Sequence, residues 1–257
     1  MVVVRLGERM EVKNIVGASL LAAGGSLAVY GFLNLITSYI NLGIAGMFLG
    51  AVVLTFKSSE YVKKDAIRLV LSSYGRFSNS FVDNLRLEGN AVYIPPFENL
   101  PEGGVFVPLH EDFELDLARI DEETVFLTEI PNDRAMGLFL GPLGIELVKK
   151  YEEHLEYSLA GTGPGEVEAT AGSVLKALGL AGRVYIEEVE NGFRVILQPT
   201  IPCDAGTCEK MPCPVCSSVL LALARATGEL IHVEKVEEKD YGIEISARKL
   251  GGVEEWM

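Results

Sequence analysis

The sequence predicts an N-terminal transmembrane α-hairpin followed by a soluble α+β region. Two observations carry this fold class. The 43 residues from Asn14 to Phe56 contain no charged side chain, and later segments alternate apolar and polar residues as β-strands do. A third observation concerns chemistry, because all four cysteines fall between Cys203 and Cys216.

The uncharged segment is long enough to cross a bilayer twice, since one crossing takes about 20 apolar residues. A polar break at 37–41 divides it into predicted helices at 15–36 and 40–56. A cleaved signal peptide is the alternative, but its apolar core spans only about 7–15 residues. We therefore predict a hairpin over residues 1–57, with the lipid bilayer as its partner. Its closely spaced glycines favour tight packing of the two helices and leave a homodimer through the same faces open.

Charge predicts how the hairpin is oriented. Basic residues flank the uncharged segment, at Arg5, Arg9 and Lys13 on one side and from Lys57 on the other. The positive-inside rule then places both termini in the cytoplasm, at the cell membrane. After Lys64 the chain has 33 acidic and 16 basic residues. This excess excludes nucleic acid as a partner, because phosphate contacts need clustered cations.

Residues 58–84 are predicted as a juxtamembrane helix and a linker. Apolar residues recur at helical spacing over Ser58–Tyr74, whereas Gly75–Asn84 is polar. A small α+β unit follows at 85–160, with a helix that begins at Gly141-Pro142 and ends near Leu159. Its predicted strands are Leu85–Leu87, Ala91–Ile94, Val105–Pro108, Thr124–Thr128 and Met136–Leu140.

Residues 161–257 are predicted to contain one αββ unit twice. Each unit has a helix, at about Glu166–Leu180 and Pro214–Ala226, and then two strands. Asn191-Gly192 between two alternating segments is a strong hairpin signal. The strands are Arg183–Glu188 and Phe193–Gln198 in the first unit, and Leu230–Glu237 and Tyr241–Arg248 in the second. An αββ–αββ repeat predicts a mainly antiparallel sheet with its helices on one face.

The four cysteines lie between the two units and form the candidate site. Cys203, Cys208, Cys213 and Cys216 have the spacing C-x4-C-x4-C-x2-C. Four thiolates in so short a segment favour a structural Zn²⁺, which takes tetrahedral sulfur ligands. The last two cysteines come directly before and within the start of a predicted helix, where free N–H groups and the helix dipole lower a thiol pKa.

Two other chemistries fit the same residues, and the first is disulfide chemistry, which includes two purely structural disulfides. The motif C-P-V-C is similar to the thioredoxin and glutaredoxin active site, which implies Cys213 as nucleophile and Cys216 as resolving thiol in a disulfide exchange enzyme. The αββ units around the motif depart from that family. An iron–sulfur cluster is the second alternative, because C-x4-C-x2-C is the core spacing of plant-type ferredoxins.

The hairpin, the Y-I-P-P segment at Tyr93–Pro96 and the C-P-V-C helix together resemble uncharacterised archaeal membrane-anchored proteins with an N-terminal two-helix hairpin. That resemblance implies no activity. The sequence contains no hydrolase triad or H-E-x-x-H motif, and its three histidines are predicted to be structural or solvated. We therefore predict a membrane-tethered binding module rather than an enzyme, with a protein or a small ligand as its further partner.

Overall fold

The computed structural model describes residues 4–55, 64–128, 132–201, 203–211 and 213–257. The chain divides into two compact units, one ending at Val62 and one beginning at Lys63. The first unit contains helices α1 (Val4–Leu33) and α2 (Thr37–Thr55). Both are long and apolar enough to cross a membrane. Helix α1 begins before its predicted start, and the end predicted for the second helix at residue 56 lies outside the described residues.

Glycines let α1 and α2 approach each other closely. A Cβ on Gly43 would lie 2.5 Å from the backbone nitrogen of Ala28, and one on Gly24 would lie 2.6 Å from that of Met47. A Cβ on Gly50 would lie 2.9 Å from the carbonyl oxygen of Gly17. Glycine is therefore needed for the contact within the hairpin, which is the packing predicted from the sequence.

The second unit is built on one antiparallel sheet of eight strands in the order β3-β4-β2-β1-β7-β8-β6-β5. The strands are β1 Val92–Ile94, β2 Gly104–Pro108, β3 Phe126–Leu127, β4 Gly137–Leu140, β5 Ala181–Val189, β6 Gly192–Pro199, β7 Glu229–Lys239 and β8 Gly242–Gly252. The helices are α3 Lys64–Leu85, α4 Ile145–Leu155, α5 Pro164–Ala177, α6 Ala205–Lys210 and α7 Pro214–Thr227. Strand β1 pairs with β7, so the segments predicted as separate units at 85–160 and 161–257 contribute to the same sheet.

Helices α4, α5 and α7 share one hydrophobic core with one face of this sheet. Helix α7 lies at its centre, because eleven of its 14 residues are buried. Side chains alternate between faces along a strand, so Tyr93 joins this core while Val92 and Ile94 join a smaller one on the other face. Trp256 covers that smaller core by stacking on Phe113.

The order helix, strand, strand occurs twice, as α5-β5-β6 and α7-β7-β8, which agrees with the predicted elements. The four strands do not form a separate sheet, because β7 also pairs with β1 and so joins them to the other four strands. The additional helix α6 separates the two sets and was not predicted. That the two sets are copies of one unit stays a prediction.

The predicted linker at Gly75–Asn84 is wrong, because α3 continues through it to Leu85. Apolar side chains recur at helical spacing there, and Phe77 stacks on Phe81 while Phe81 and Val82 pack against the main core. The predicted strand at Leu85–Leu87 is also absent from this described segment. Arg86 has a φ of 52° and the Leu87 N–H donates to the Val82 carbonyl, which ends the helix in a turn.

The predicted helix from Gly141-Pro142 to Leu159 is shorter in the structure. Helix α4 begins at Ile145, after Gly144 at its N-cap with a φ of 84°, and ends at Leu155. Glu156 then has a φ of 65°, which turns the chain out of the helix.

Candidate metal centre

The four cysteines come from three consecutive elements. Cys203 follows β6, Cys208 lies in α6, Cys213 is the N-cap of α7 and Cys216 is in its first turn. Pro214 occupies the first turn of α7, where its missing N–H costs nothing. The short segment between β6 and α7 therefore folds back on itself and brings the cysteines together.

Helix α6 is held by contacts that the sequence analysis missed. Asp204 caps it, and its Oδ2 accepts a 3.0 Å hydrogen bond from the Thr207 N–H. The Glu209 carbonyl accepts from the Ala91 N–H at 2.9 Å, and its carboxylate accepts from the Val236 N–H at 3.0 Å. Asp in the sequence C-D-A-G-T-C is a recognisable N-cap signal. The contacts of Glu209 could not be predicted without knowing the sheet, because they join α6 to β7 and to the start of β1.

The four Sγ atoms all lie within 4.8 Å of one another. The Cys203 Sγ lies 2.8 Å from that of Cys208 and 3.6 Å from that of Cys216. Cys208 and Cys216 are buried, whereas Cys203 and Cys213 are half-buried. The structure thus brings together all four residues that the sequence predicted as one site, and they form a group that could hold a metal ion.

The thiols affect one another's ionisation. Hydrogen bonds, first from the Cys203 thiol, hold the pKa of Cys213 well below its usual range. The Cys203 thiol is also the main cause that raises the pKa of Cys216. Hydrogen bonding with Cys208 raises the pKa of Cys203. Ionisation of Cys213 is therefore favoured over that of Cys203 and Cys216, and four thiolates placed together need a cation between them.

A tyrosine hydroxyl lies in the interior beside this group. Tyr93 is completely buried, and its Oη makes no hydrogen bond of normal geometry among the described residues, although it interacts with the Ser217 hydroxyl. Burial raises its pKa well above the usual value, the Ser217 hydroxyl lowers it, and the charges of Cys216 and Cys208 raise it again. Sequence reasoning assigned no role to Tyr93 beyond the Y-I-P-P motif.

The histidines do not join the cysteines. His110 lies 3.1 Å from a carboxylate oxygen of Glu88, and His154 is exposed on α4. His232 is packed against Phe113, with 5.6 Å between the ring centroids. These positions agree with the prediction that each histidine is either structural or solvated, and His154 is the solvated one.

The fold and the cysteine group define a class of protein: an antiparallel sheet domain with a four-thiol site, on a chain that begins with two apolar helices. The chain belongs to the family described as Domain of unknown function (DUF7982), whose model matches residues 4–247. Comparison with curated proteins and with solved structures finds no match. The family is an uncharacterised one, as the resemblance in the sequence implied, while an archaeal origin stays a prediction.

Proposed function

We propose that this protein is a membrane-tethered, cytoplasmic binding module whose soluble domain is held together by Zn²⁺ on Cys203, Cys208, Cys213 and Cys216. The observation that supports the proposal most directly is the clustering of the four Sγ atoms within 4.8 Å. Thiolates are the ligands that a structural zinc ion prefers.

The spacing of the sulfurs favours a single ion. With Zn–S bonds of about 2.3 Å, two sulfurs of a tetrahedral site lie about 3.8 Å apart. The Cys203–Cys216 separation of 3.6 Å is close to this value, and the 2.8 Å Cys203–Cys208 pair would separate slightly. An iron–sulfur cluster contains several metal ions and sulfides, and it requires more room between its cysteines.

The positions of the ligands argue for a structural role. One ion would join the end of β6, helix α6 and the start of α7, and α7 is the most buried helix among those described. The two αββ sets meet at this connection. Loss of the ion should therefore loosen the main core, because a metal site that exists only in the folded state stabilises that state.

The first prediction tests the metal. The full chain, purified anaerobically in detergent micelles, should contain one zinc per molecule by elemental analysis, and chelation should lower its unfolding temperature. Cys203→Ser and Cys216→Ser should each lose most of the zinc, because a hydroxyl is a poor substitute for a thiolate. Met211→Leu is the matched control, since Met211 is buried beside the site and Leu preserves its volume.

Other results would replace the proposal. Iron together with acid-labile sulfide would indicate a cluster. Absence of any metal, with a fast-reacting thiol at Cys213 and disulfide exchange that Cys213→Ser abolishes, would indicate the thiol–disulfide enzyme with Cys216 as resolving residue. The lowered pKa of Cys213 favours that alternative, whereas the complete burial of Cys216 opposes it.

A further inference from the structure

A cavity of about 220 Å³ lies beside the cysteine group. Helix α3 lines it with Leu71, Gly75 and Ser78. Three of the thiols also line it, those of Cys203, Cys208 and Cys213. The three α3 residues recur at intervals of four and three, so they lie on one helix face. Most of this lining is apolar, and the cavity exceeds the engineered cavity of about 150 Å³ that binds benzene.

Nothing in the described part of the chain requires a glycine at position 75, because a Cβ there would contact no neighbour. It lies inside α3, where glycine costs about 1 kcal/mol relative to alanine. A Cβ built on it would meet no heavy atom within 4 Å. Gly24, Gly43 and Gly50 of the α1–α2 hairpin differ, since a Cβ on each would collide with backbone. Gly75 therefore lowers helix stability and keeps space open where no described neighbour requires it.

Ser78 adds a polar group to the same space. It is completely buried, and its Oγ makes no hydrogen bond of normal geometry among the described residues, although it interacts with the Tyr74 hydroxyl one turn earlier. A buried hydroxyl without a well-formed hydrogen bond costs about 1–3 kcal/mol. The same face of α3 therefore carries an open space at Gly75 and, three residues further on, a hydroxyl without a well-formed hydrogen bond at Ser78.

We propose that this cavity is a binding site for a small neutral molecule with an apolar body about the size of a benzene ring and one hydroxyl or amino group that hydrogen bonds to Ser78. The apolar walls take the body, and Gly75 provides the room. The inference goes beyond the zinc site and does not depend on which ion the thiolates hold.

Charge explains why the molecule is neutral. Asp204 and Arg76 both line the cavity, so side chains of both signs are present and neither an anion nor a cation meets only opposite charge there. A charged molecule would also have to lose its hydration shell against the apolar walls, which is costly.

The second prediction uses 4-fluorophenol as the probe, followed by ¹⁹F NMR line broadening with the full chain in detergent micelles. Saturable binding is expected for the natural sequence. Gly75→Leu should abolish it by filling the cavity, without lowering stability, because leucine is the better helix former. Ser73→Leu is the matched control, since Ser73 is exposed on the same helix and the change adds the same apolar side chain outside the cavity.

The hydroxyl contact has its own test. Ser78→Ala should lower the affinity for 4-fluorophenol about fivefold, which is the typical contribution of one hydrogen bond. The affinity for fluorobenzene should not change, because that molecule has no hydroxyl. Absence of saturable binding to the natural sequence would overturn the inference, as would binding that Gly75→Leu leaves intact. Zinc content is measured on the same samples, so failure of the cavity proposal is distinguishable from failure of the zinc proposal.

Discussion

At the scale of single residues, His232 is a buried group with a large shift in ionisation. Its side chain packs against Phe113, and its Nδ1 has no hydrogen-bond partner among the described residues. Burial, and then the charge of Arg248 on the neighbouring strand, lower the pKa of His232 to about 4. The folded state therefore holds this ring neutral at a pH where an unfolded chain, with a histidine pKa of about 6.5, takes up a proton.

The third prediction follows from this difference. Because the unfolded state binds more protons between about pH 6.5 and 4, stability should decrease as the pH falls through that range, by up to about 1.4 kcal/mol per pH unit from His232. Urea unfolding of the full chain at pH 7.5, 6.0 and 5.0 measures it. Trp256, the only tryptophan, is the fluorescent probe, and it lies in the soluble unit beside Phe113.

A variant isolates the histidine. His232→Leu should remove most of the pH dependence between pH 7.5 and 5.0, whatever its effect on absolute stability. The same change at exposed His154 is the control. A pH dependence equal in His232→Leu and the natural sequence would show that other groups are responsible.

The sequence predicted that the four cysteines form one candidate site but not what surrounds them. The four cysteines could be found from the sequence because all of them fall within a short segment, and clustered thiolates are typical metal ligands. Ser78, Gly75 and Tyr93 gave no comparable signal. Each matters because the fold brings it near the cysteines, with Ser78 and Tyr93 buried and Gly75 beside the cavity. All three are separated from Cys203 by more than a hundred positions in the chain.

At the scale of secondary structure, the strands and helices with regular patterns were predicted well, whereas the connections were not. The β5–β6 hairpin and α7 were found because an Asn-Gly pair between alternating segments and a proline-started helix are local signals. The predicted turn at Asn191-Gly192 is one residue too late, because Val189 pairs with Gly192 and the loop is Glu190-Asn191. The second half of α3 was missed because its glycine and serines resemble a linker. That segment is helical through the packing of Phe81 and Val82, a contact that the sequence alone does not show.

The contact between α4 and α7 provides the fourth prediction. Gly144, the N-cap of α4, has a φ of 84°, and a Cβ there would lie 2.5 Å from the Pro214 carbonyl oxygen. Gly144→Ala should lower the free energy of unfolding by about 3 kcal/mol, from strain of about 1–2 kcal/mol and the collision in addition. Urea unfolding monitored by Trp256 fluorescence measures the loss.

Gly179 is the matched control for this variant. It has a φ of 69°, but a Cβ there would meet no heavy atom within 4 Å. Gly179→Ala therefore introduces the strain without the collision and should cost about 1–2 kcal/mol. Equal losses of unfolding free energy in the two variants would mean that the collision of the new Cβ with the Pro214 carbonyl costs nothing.

At the scale of the whole molecule, charge and hydropathy divide along the chain. The residues up to Lys64 include six basic and three acidic side chains, and those after it include 16 basic and 33 acidic ones. This division into a basic, apolar first part and an acidic second part can be read from the sequence, because it depends only on which residues each part contains. The single eight-stranded sheet could not be predicted in the same way, since the pairing of β1 with β7 joins segments about 140 residues apart.

The fifth prediction concerns membrane orientation. Basic residues at both outer flanks of the α1–α2 hairpin favour the cytoplasmic side for both termini. In a bacterial host, a fluorescent protein that folds only in the cytoplasm should be bright when fused to the C-terminus. Alkaline phosphatase, which is active only outside the cytoplasm, should be inactive at the C-terminus and active when inserted in the turn after Leu33.

Charge variants test the cause of this orientation. Replacing Arg5, Arg9 and Lys13 together with glutamine should raise the fraction of inverted chains, because lysine and arginine near the membrane set orientation. Replacing Glu8 and Glu11 with glutamine is the control, since acidic residues contribute little to it. An active phosphatase at the C-terminus of the natural sequence would place the cysteine site outside the cytoplasm. There the oxidising environment favours disulfides over a zinc-thiolate centre, so the orientation of the hairpin also decides which chemistry the four cysteines can sustain.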